Sequence, residues 1–258
     1  MGILENFSLA GKKALVYAPQ YEYGADIAEG LAEAGAQVWL CGADKAALDE
    51  VAAKVGAAGV YEYHQGTKAA ADELANFIRN TMGSIDVFVD NGSGMHMTGW
   101  FHSYQEIVDN FAVTQRGLIL TTQAVGIIMA EQKRGSVIFV SDYAALVGCD
   151  VHNYDGCPEE MAKDFSVDYG YIKGSYVNYA RQAAGFLGEA GCRCNTIAFA
   201  PKEGTKPAAF EEAFIKHSHI RRMAQSQDIK NIAVFLASDA SVYITGTTIP
   251  VDGGYTAK

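Results

Sequence analysis

Residues 11–24 read GKKALVYAPQYEYG and combine an apolar run, a turn and the start of a helix. The apolar residues 14–17 predict a buried strand, because strands covered on both faces are continuously apolar rather than alternating. After the turn, apolar residues recur at helical spacing from Gly24 to Gly35. A strand, a turn and a helix in this order open a βαβ unit, and such units build parallel sheets.

The same alternation continues along the chain. Strands are predicted at residues 14–17, 37–41, 60–63, 85–89, 136–140, 193–198 and 248–251. Helices are predicted at residues 24–35, 45–55, 68–82, 169–190 and 228–238, with two more after Tyr104. The fold class is therefore α/β, with a doubly wound parallel sheet of about seven strands and helices on both faces. Residues 148–168 are irregular, and we expect them to form an insertion on the ligand side of the sheet.

Composition narrows the possible functions. The chain has 258 residues, of which 49% are hydrophobic, enough for one large core spanning residues 1–258. Its net charge of −10 argues against nucleic acid and anionic membrane surfaces as partners. We find neither a membrane-spanning run nor a signal-peptide pattern, so we expect a cytoplasmic protein.

The cysteines and histidines do not predict a metal site. The five cysteines are an odd number, and we expect buried free thiols at Cys41, Cys192 and Cys194. Cys192 and Cys194 are too close in sequence for a usual zinc pair. The histidines are scattered, and we expect them, His102 included, at the surface.

The turn at residues 18–23 is unusual for a dinucleotide-binding βαβ unit. Such turns are rich in glycine, because phosphates must approach the backbone at the N-terminus of the helix. Here only Gly24 remains, and Tyr21, Glu22 and Tyr23 occupy the preceding positions. A carboxylate near two phosphate charges is repelled strongly in a partly dry site. The turn is therefore predicted to be blocked against a coenzyme's pyrophosphate.

Several strings identify a family resemblance. DIKNIAVFLASD at residues 228–239, ITG at 244–246 and VDGG at 251–254 strongly resemble the C-terminal part of short-chain dehydrogenases/reductases. RCNTIA at 193–198 and LTTQA at 120–124 are similar to the same family. The resemblance covers nearly the whole chain. It implies a single-domain Rossmann fold, a nicotinamide coenzyme and oligomers that form through two long helices.

The resemblance places the family's catalytic residues. Its Y-x-x-x-K motif matches Tyr169 and Lys173, which lie on one helical face. In the family the lysine lowers the tyrosine's pKa, and the phenol exchanges a proton with the substrate. The catalytic serine is replaced by Asp142, which cannot donate a hydrogen bond when ionised. Ser141 precedes it, but neighbouring strand residues face opposite sides, and the family's asparagine aligns with Thr114.

The coenzyme positions depart in the same way. The turn after the fourth strand keeps Asn91, which with Gly24 is all that remains of the coenzyme site. Gly42 replaces the acidic residue that binds the ribose in the family. No basic residue that could bind a 2′-phosphate follows directly, and the nearest one in sequence is Lys45. Gln65 stands at the adenine position, and Phe199-Ala200 replaces a Pro-Gly turn.

These joint losses predict a vestigial Tyr169–Lys173 pair and no coenzyme in this chain. Single substitutions are also compatible with ordinary drift, since Glu22 suits a helix start and the two tyrosines suit packing. We expect a non-catalytic structural or regulatory subunit in a heterodimer or heterotetramer with an active, NAD-dependent paralogue. The long helices at residues 117–134 and 169–190 would form the contact, with small residues such as Ala184 facing the partner.

A narrower resemblance concerns the system in which the chain works. The pattern of losses resembles the coenzyme-free partner subunit in the two-subunit hydroxyacyl-CoA dehydrogenase of anaerobic toluene degradation. That resemblance implies oxidation of a hydroxyl group on an aromatic acyl-CoA by the partner. Residues 95–101, with Tyr143 and Tyr154, suit either an apolar acyl pocket or core packing. Two alternatives remain: an active NAD(P)-dependent oxidoreductase using Tyr169 and Lys173, and a ligand-sensing pseudo-dehydrogenase.

Overall fold

A computed structural model describes residues 2–92, 97, 99–158 and 167–257. Seven parallel strands form one sheet in the order β3-β2-β1-β4-β5-β6-β7. The strands are β1 Lys13–Tyr17, β2 Gln37–Gly42, β3 Gly59–Glu62, β4 Val87–Asp90, β5 Ser136–Asp142, β6 Arg193–Phe199 and β7 Thr248–Val251. The α-helices are α1 Gly24–Glu33, α2 Lys45–Val55, α3 Lys68–Phe77, α4 Tyr104–Phe111, α5 Gly117–Gln132, α6 Val167–Gly188, α7 Ala208–His217 and α8 Ser226–Ala237.

Each face of the sheet carries its own apolar core. On one face α1, α2 and α8 cover the strands through residues such as Leu31, Leu48 and Leu236. On the other face α3, α5 and α6 cover them, with Leu74 and Met129 among the buried contacts. The predicted α/β sheet, parallel and doubly wound with helices on both faces, is therefore confirmed.

The strand order reverses between β1 and β4, which places a crevice outside their carboxyl ends. Tyr17 pairs with Asp90 at this edge, and Asp142 pairs with Phe199 further along it. In an open α/β sheet the crevice at such a reversal is where ligands bind. The turn after β1, the turn after β4 and the end of β5 all meet there.

A third, aromatic cluster lies beyond the carboxyl edge of the sheet. Tyr143, Phe214 and Tyr255 form its centre, with Tyr255 stacked on Phe214 at 4.2 Å between ring centroids. Asn153 donates a hydrogen bond of 2.8 Å to the hydroxyl of Tyr255. Helix α7, which carries Phe214, was not predicted from the sequence. This cluster joins α7 to the segment after β5 and to the segment after β7.

Two helices depart locally from α geometry. A π-helical turn, Ile78–Met82, continues α3, and a second, Ala112–Arg116, joins α4 to α5. The irregular segment predicted at residues 148–168 contains a short 3₁₀ helix, Val151–Tyr154. Residues 159–166 of that segment lie outside the described residues. Among the described helices, none is long and apolar enough to cross a membrane.

The five cysteines are free thiols, and Cys41, Cys192 and Cys194 are buried, as predicted. Within the described part of the chain, no group of three His, Cys, Asp or Glu side chains has a geometry suited to a metal ion.

Ala184 does not lie on the outer face of its helix, contrary to the expectation that it faces a partner. It is only 7% exposed and packs in the core between α6 and the sheet, and a Cβ on Gly246 would lie 3.4 Å from its side chain. The exposed face of α5 and α6 instead presents Ile127 and Phe186, the latter 68% exposed. These two side chains border a groove of about 440 Å³, which is also lined by Gln123, Gly126, Tyr179 and Ala183.

Candidate active site

The turn after β1 is tight and firmly held despite its missing glycines. Ala18 adopts a left-handed conformation with φ of 54°, which glycine adopts more easily. The amide of Asn91 donates to the carbonyl oxygens of Ala18 and Tyr21 at 2.9 and 3.0 Å. A Cβ on Gly24 would lie 2.5 Å from the Cα of Pro19, so only glycine fits there. Asn91 and Gly24 thus have a structural role in this chain.

The two tyrosines of the turn occupy different environments. Tyr23 is buried and packs against Phe199, with the ring centroids 4.7 Å apart and the planes tilted by 32°. Its hydroxyl donates a hydrogen bond of 2.9 Å to the carbonyl oxygen of Ala200. The hydrogen bond and the ring contact of Tyr23 thus join the turn to the end of β6. Tyr21 lies at the surface, 48% exposed.

Glu22 is the charged group of the turn, and its carboxylate lies 3.6 Å from the Nζ of Lys206. Burial raises the pKa of the Tyr169 phenol well above its ordinary value, and the charges of Asp142 and Glu22 raise it further. The negative charge of Glu22 thus acts on a residue of α6 as well as on Lys206. One turn into α1, the buried Asp26 pairs with Lys202 at 2.5 Å.

Tyr169 and Lys173 are brought to the crevice together, as their spacing predicted. The Nζ of Lys173 donates a hydrogen bond of 3.0 Å to the carbonyl oxygen of Gly92 and lies 6.0 Å from the ring centre of Tyr169. Burial lowers the pKa of Lys173, whereas the charges of Asp142, Glu22 and Asp90 oppose that shift. The raised pKa of Tyr169 disfavours the phenolate that the family's proton transfer requires.

Asp142 ends β5 at the position of the family's serine. Its side chain is buried and accepts a hydrogen bond of 2.7 Å from the backbone N–H of Ala144. Burial raises the pKa of Asp142 to about 7, with Glu22 adding to the shift and Lys173 opposing it. Near neutral pH a share of the molecules therefore carries a protonated Asp142, which donates a hydrogen bond. The expectation that an ionised Asp142 donates no hydrogen bond therefore applies only to the remaining molecules.

Two other polar side chains at the catalytic positions are tied to backbone. Ser141 donates a hydrogen bond of 2.9 Å to the carbonyl oxygen of Lys173, so it faces α6 rather than substituting for Asp142. Thr114 lies in the π-helical turn and donates 2.7 Å to the carbonyl oxygen of Asn110. Asn110 is fully buried, and its amide atoms have no hydrogen-bond partner among the described residues.

The far end of the crevice offers little to a nucleotide. The amide oxygen of Gln20 lies 3.6 Å from where a Cβ on Gly42 would stand, beside the ribose position. Lys45 pairs with Asp49 at 2.7 Å on the surface. The side chain of Gln65 packs against Gly117 in α5. At this end of the crevice Gly42 therefore brings no carboxylate to the ribose position, and the charge of Lys45 is matched by Asp49.

The sequence did not reveal two functional-site neighbours. His102, expected at the surface, is buried, and its Nε2 lies 2.8 Å from a carboxylate oxygen of Asp168, next to Tyr169. Asp90 is buried beside Lys173, and burial raises its pKa to about 6. The His102–Asp168 and Asp90–Lys173 contacts each join residues far apart in sequence, so no local sequence pattern predicts them.

Comparisons with known proteins agree with the fold. A family model described as enoyl-(acyl carrier protein) reductase matches residues 23–256. The 5-keto-D-gluconate 5-reductase of Escherichia coli K12 is 30% identical over 96% of each chain. The D-threitol dehydrogenase of Mycolicibacterium smegmatis is 29% identical over 98% of this chain and 96% of its own.

Solved structures match over nearly the full length. A putative short-chain alcohol dehydrogenase from Sinorhizobium meliloti 1021 has a TM-score of 0.83 at 26% identity, covering 98% of this chain and 99% of that one. A gluconate 5-dehydrogenase from Burkholderia cenocepacia J2315, in complex with NADP and tartrate, has a TM-score of 0.85 at 22% identity, with both chains fully covered.

Proposed function

The chain belongs to the short-chain dehydrogenase/reductase family of oxidoreductases, and from that premise we propose that it is a coenzyme-free, non-catalytic subunit of a dehydrogenase. The observation that carries the proposal is the carboxylate of Glu22 in the turn where a pyrophosphate would lie. Two like charges 4 Å apart repel by about 4 kcal/mol at an effective dielectric constant of about 20. Micromolar affinity corresponds to about 8 kcal/mol, so one such repulsion reduces it to about millimolar.

Calorimetric titration tests the absence of coenzyme binding. The purified chain is titrated with NAD and with NADP, and we expect no saturable heat up to about 100 μM coenzyme, where a site with a millimolar dissociation constant stays mostly empty. A dissociation constant in the micromolar range for either coenzyme would remove this proposal.

The proposed partner is a paralogous, active dehydrogenase that carries NAD, in a heterodimer or heterotetramer. Support comes from the exposed face of α5 and α6, where Ile127 and Phe186 border an open groove. An obligate interface there would bury more than about 2,000 Å². Native mass spectrometry of the chain co-expressed with such a paralogue tests this, and a stable monomer would argue against it.

The narrower assignment to a hydroxyacyl-CoA dehydrogenase of toluene degradation rests on the sequence resemblance alone. The relatives described above are named for sugar-acid and polyol reactions. In this proposal the partner subunit binds and oxidises the substrate. Whether that substrate is an aromatic hydroxyacyl-CoA is tested by assaying the assembled complex with such a compound.

A second candidate function is an active NAD(P)-dependent oxidoreductase that uses Tyr169 and Lys173. The relatives named as a reductase and a dehydrogenase favour this candidate over the first. Asp142 also favours it, because its protonated form offers the hydrogen-bond donor that the serine supplies in the family. Coenzyme titration separates the two candidates, since the second requires binding and the first excludes it.

A further inference from the structure

We propose that one ion pair, Glu22–Lys206, closes the coenzyme site, and that the site behind it is latent rather than lost. In this view Lys206 takes Glu22 as its partner in place of a phosphate group. Removing the carboxylate of Glu22 would then open a pyrophosphate site in which Lys206 binds the anion. The inference rests on the proposed function, in which the chain binds no coenzyme, and it names the ion pair that prevents binding.

The backbone of the turn already has the shape that a tight strand-to-helix turn needs. Ala18 keeps a left-handed conformation, and Gly24 allows the close approach of Pro19. Asn91 holds the turn from the neighbouring strand through two hydrogen bonds. None of these contacts involves Glu22, so a change at that residue leaves the turn supported.

The side chains around Glu22 leave it as the main obstacle. Tyr23 is withdrawn into the core against Phe199. Asp26 is buried, and its charge is matched by Lys202 at 2.5 Å. Glu22 is half-exposed on the crevice side and is the sole charged residue among residues 18–23. Glu22 also precedes the first residue of α1 by two positions, close in sequence to the helix end that stabilises an anion.

Lys206 is held over the turn by contacts that do not depend on Glu22. Its segment is anchored by the Lys202–Asp26 ion pair and by a hydrogen bond of 2.6 Å from Thr205 to the carbonyl oxygen of Lys202. The N–H of Gly204 donates 2.7 Å to Glu211 of α7. Lys206 therefore stays near the turn when Glu22 is removed, and its charge becomes available to a phosphate.

The test compares Glu22→Gly, Glu22→Gln and the double variant Glu22→Gly/Lys206→Gln with the parent chain. Isothermal titration uses inorganic pyrophosphate and NAD as probes. We expect Glu22→Gly to bind both at least tenfold more tightly than the parent. Glu22→Gln, which keeps the bulk and removes the charge, should show a smaller gain. The double variant should lose about tenfold relative to Glu22→Gly, because the anion has lost its lysine.

Glu33→Gln is the matched control, because it removes a carboxylate from the far end of the same helix. It should bind neither probe better than the parent. Circular dichroism and the thermal midpoint show whether each variant is folded. If Glu22→Gly does not fold, the comparison rests on Glu22→Gln, and no gain there overturns the inference.

The remaining outcomes separate this inference from the proposed function. Tight NAD binding by the parent chain would refute the coenzyme-free proposal and this inference together. Weak binding by the parent and by folded Glu22→Gly would refute the latent site alone. Equal binding by Glu22→Gly and the double variant would refute the role of Lys206.

Discussion

The ammonium group of Lys173 donates a hydrogen bond of 3.0 Å to the carbonyl oxygen of Gly92, joining helix α6 to the turn after β4. In this position Lys173 also faces the buried carboxyl groups of Asp90 and Asp142. The lysine of the family's catalytic motif therefore has a structural partner within the chain. Its presence is compatible with a chain that performs no catalysis.

Replacing Lys173 by Met should lower the free energy of unfolding by about 1–3 kcal/mol, because a buried carbonyl loses its donor. Urea denaturation followed by circular dichroism measures the change. Lys54→Met, at an exposed position in the last turn of α2, is the control and should have little effect. Equal stability of the two variants would contradict the structural role of Lys173.

Tyr169→Phe should leave the activity of the assembled complex within about twofold of the parent, well under the roughly 1.4 kcal/mol of a tenfold change. The physical reason is the buried, high-pKa phenol, which does not readily exchange a proton. Tyr171→Phe, on the exposed side of the same helix, serves as the control. A loss of about a hundredfold with Tyr169→Phe only would establish the active-enzyme alternative.

Asp142→Asn should change how stability depends on pH. Since the folded state raises the pKa of Asp142 to about 7, the fold favours the protonated form. The parent therefore loses stability from this group as pH rises from about 4 to about 7, by at most roughly 1.4 kcal/mol per pH unit. The loss is complete above pH 7.

Urea denaturation at pH 5 and pH 8 measures this effect. Relative to the parent, the free energy of unfolding of Asp142→Asn should rise by about 2–3 kcal/mol between the two pH values. Asn keeps an acceptor for the N–H of Ala144, so the local hydrogen bond is preserved. Asp155→Asn, at an exposed position, should follow the parent. A difference between parent and Asp142→Asn that stays constant with pH would show that Asp142 is ionised throughout.

Phe186→Glu should prevent association, because it places a charge at the centre of the exposed α5–α6 face. Native mass spectrometry of co-expressed chains gives the assembly state. Ala53→Glu, at an exposed position on the opposite side of the sheet, is the control. Phe186 also makes a better probe than Ala184, whose side chain lies in the chain's own core. If Phe186→Glu still forms the complex, the interface lies on another face of the chain.

Much of the fold was predictable because its signals are local. The predicted strands at residues 14–17 and 193–198 match β1 and β6 within one residue, since buried parallel strands are continuously apolar. Strand β4 was predicted two residues early, because Ile85 extends the apolar run before the ladder begins. Helix α7 was missed, although the buried Phe210 and Phe214 show a helical spacing after Pro207.

The site was predictable in its parts but not in its arrangement. The sequence placed Tyr169 and Lys173 on one face, and their helical spacing is enough for that. It could not show that Tyr23 turns into the core while Glu22 meets Lys206, because those contacts depend on the segment after β6. Nor could it show the near-neutral pKa of Asp142, which arises from burial.

Ala18 holds a conformation that glycine adopts without strain, at φ of 54°. A side chain in the left-handed region costs about 1–2 kcal/mol, partly offset by the greater freedom of glycine in the unfolded chain. Ala18→Gly should therefore raise the midpoint of urea unfolding. Selection for a more stable chain would favour restoring the first glycine of a phosphate-binding turn. In the proposed coenzyme-free subunit, the more stable residue at position 18 is thus the one that suits a phosphate.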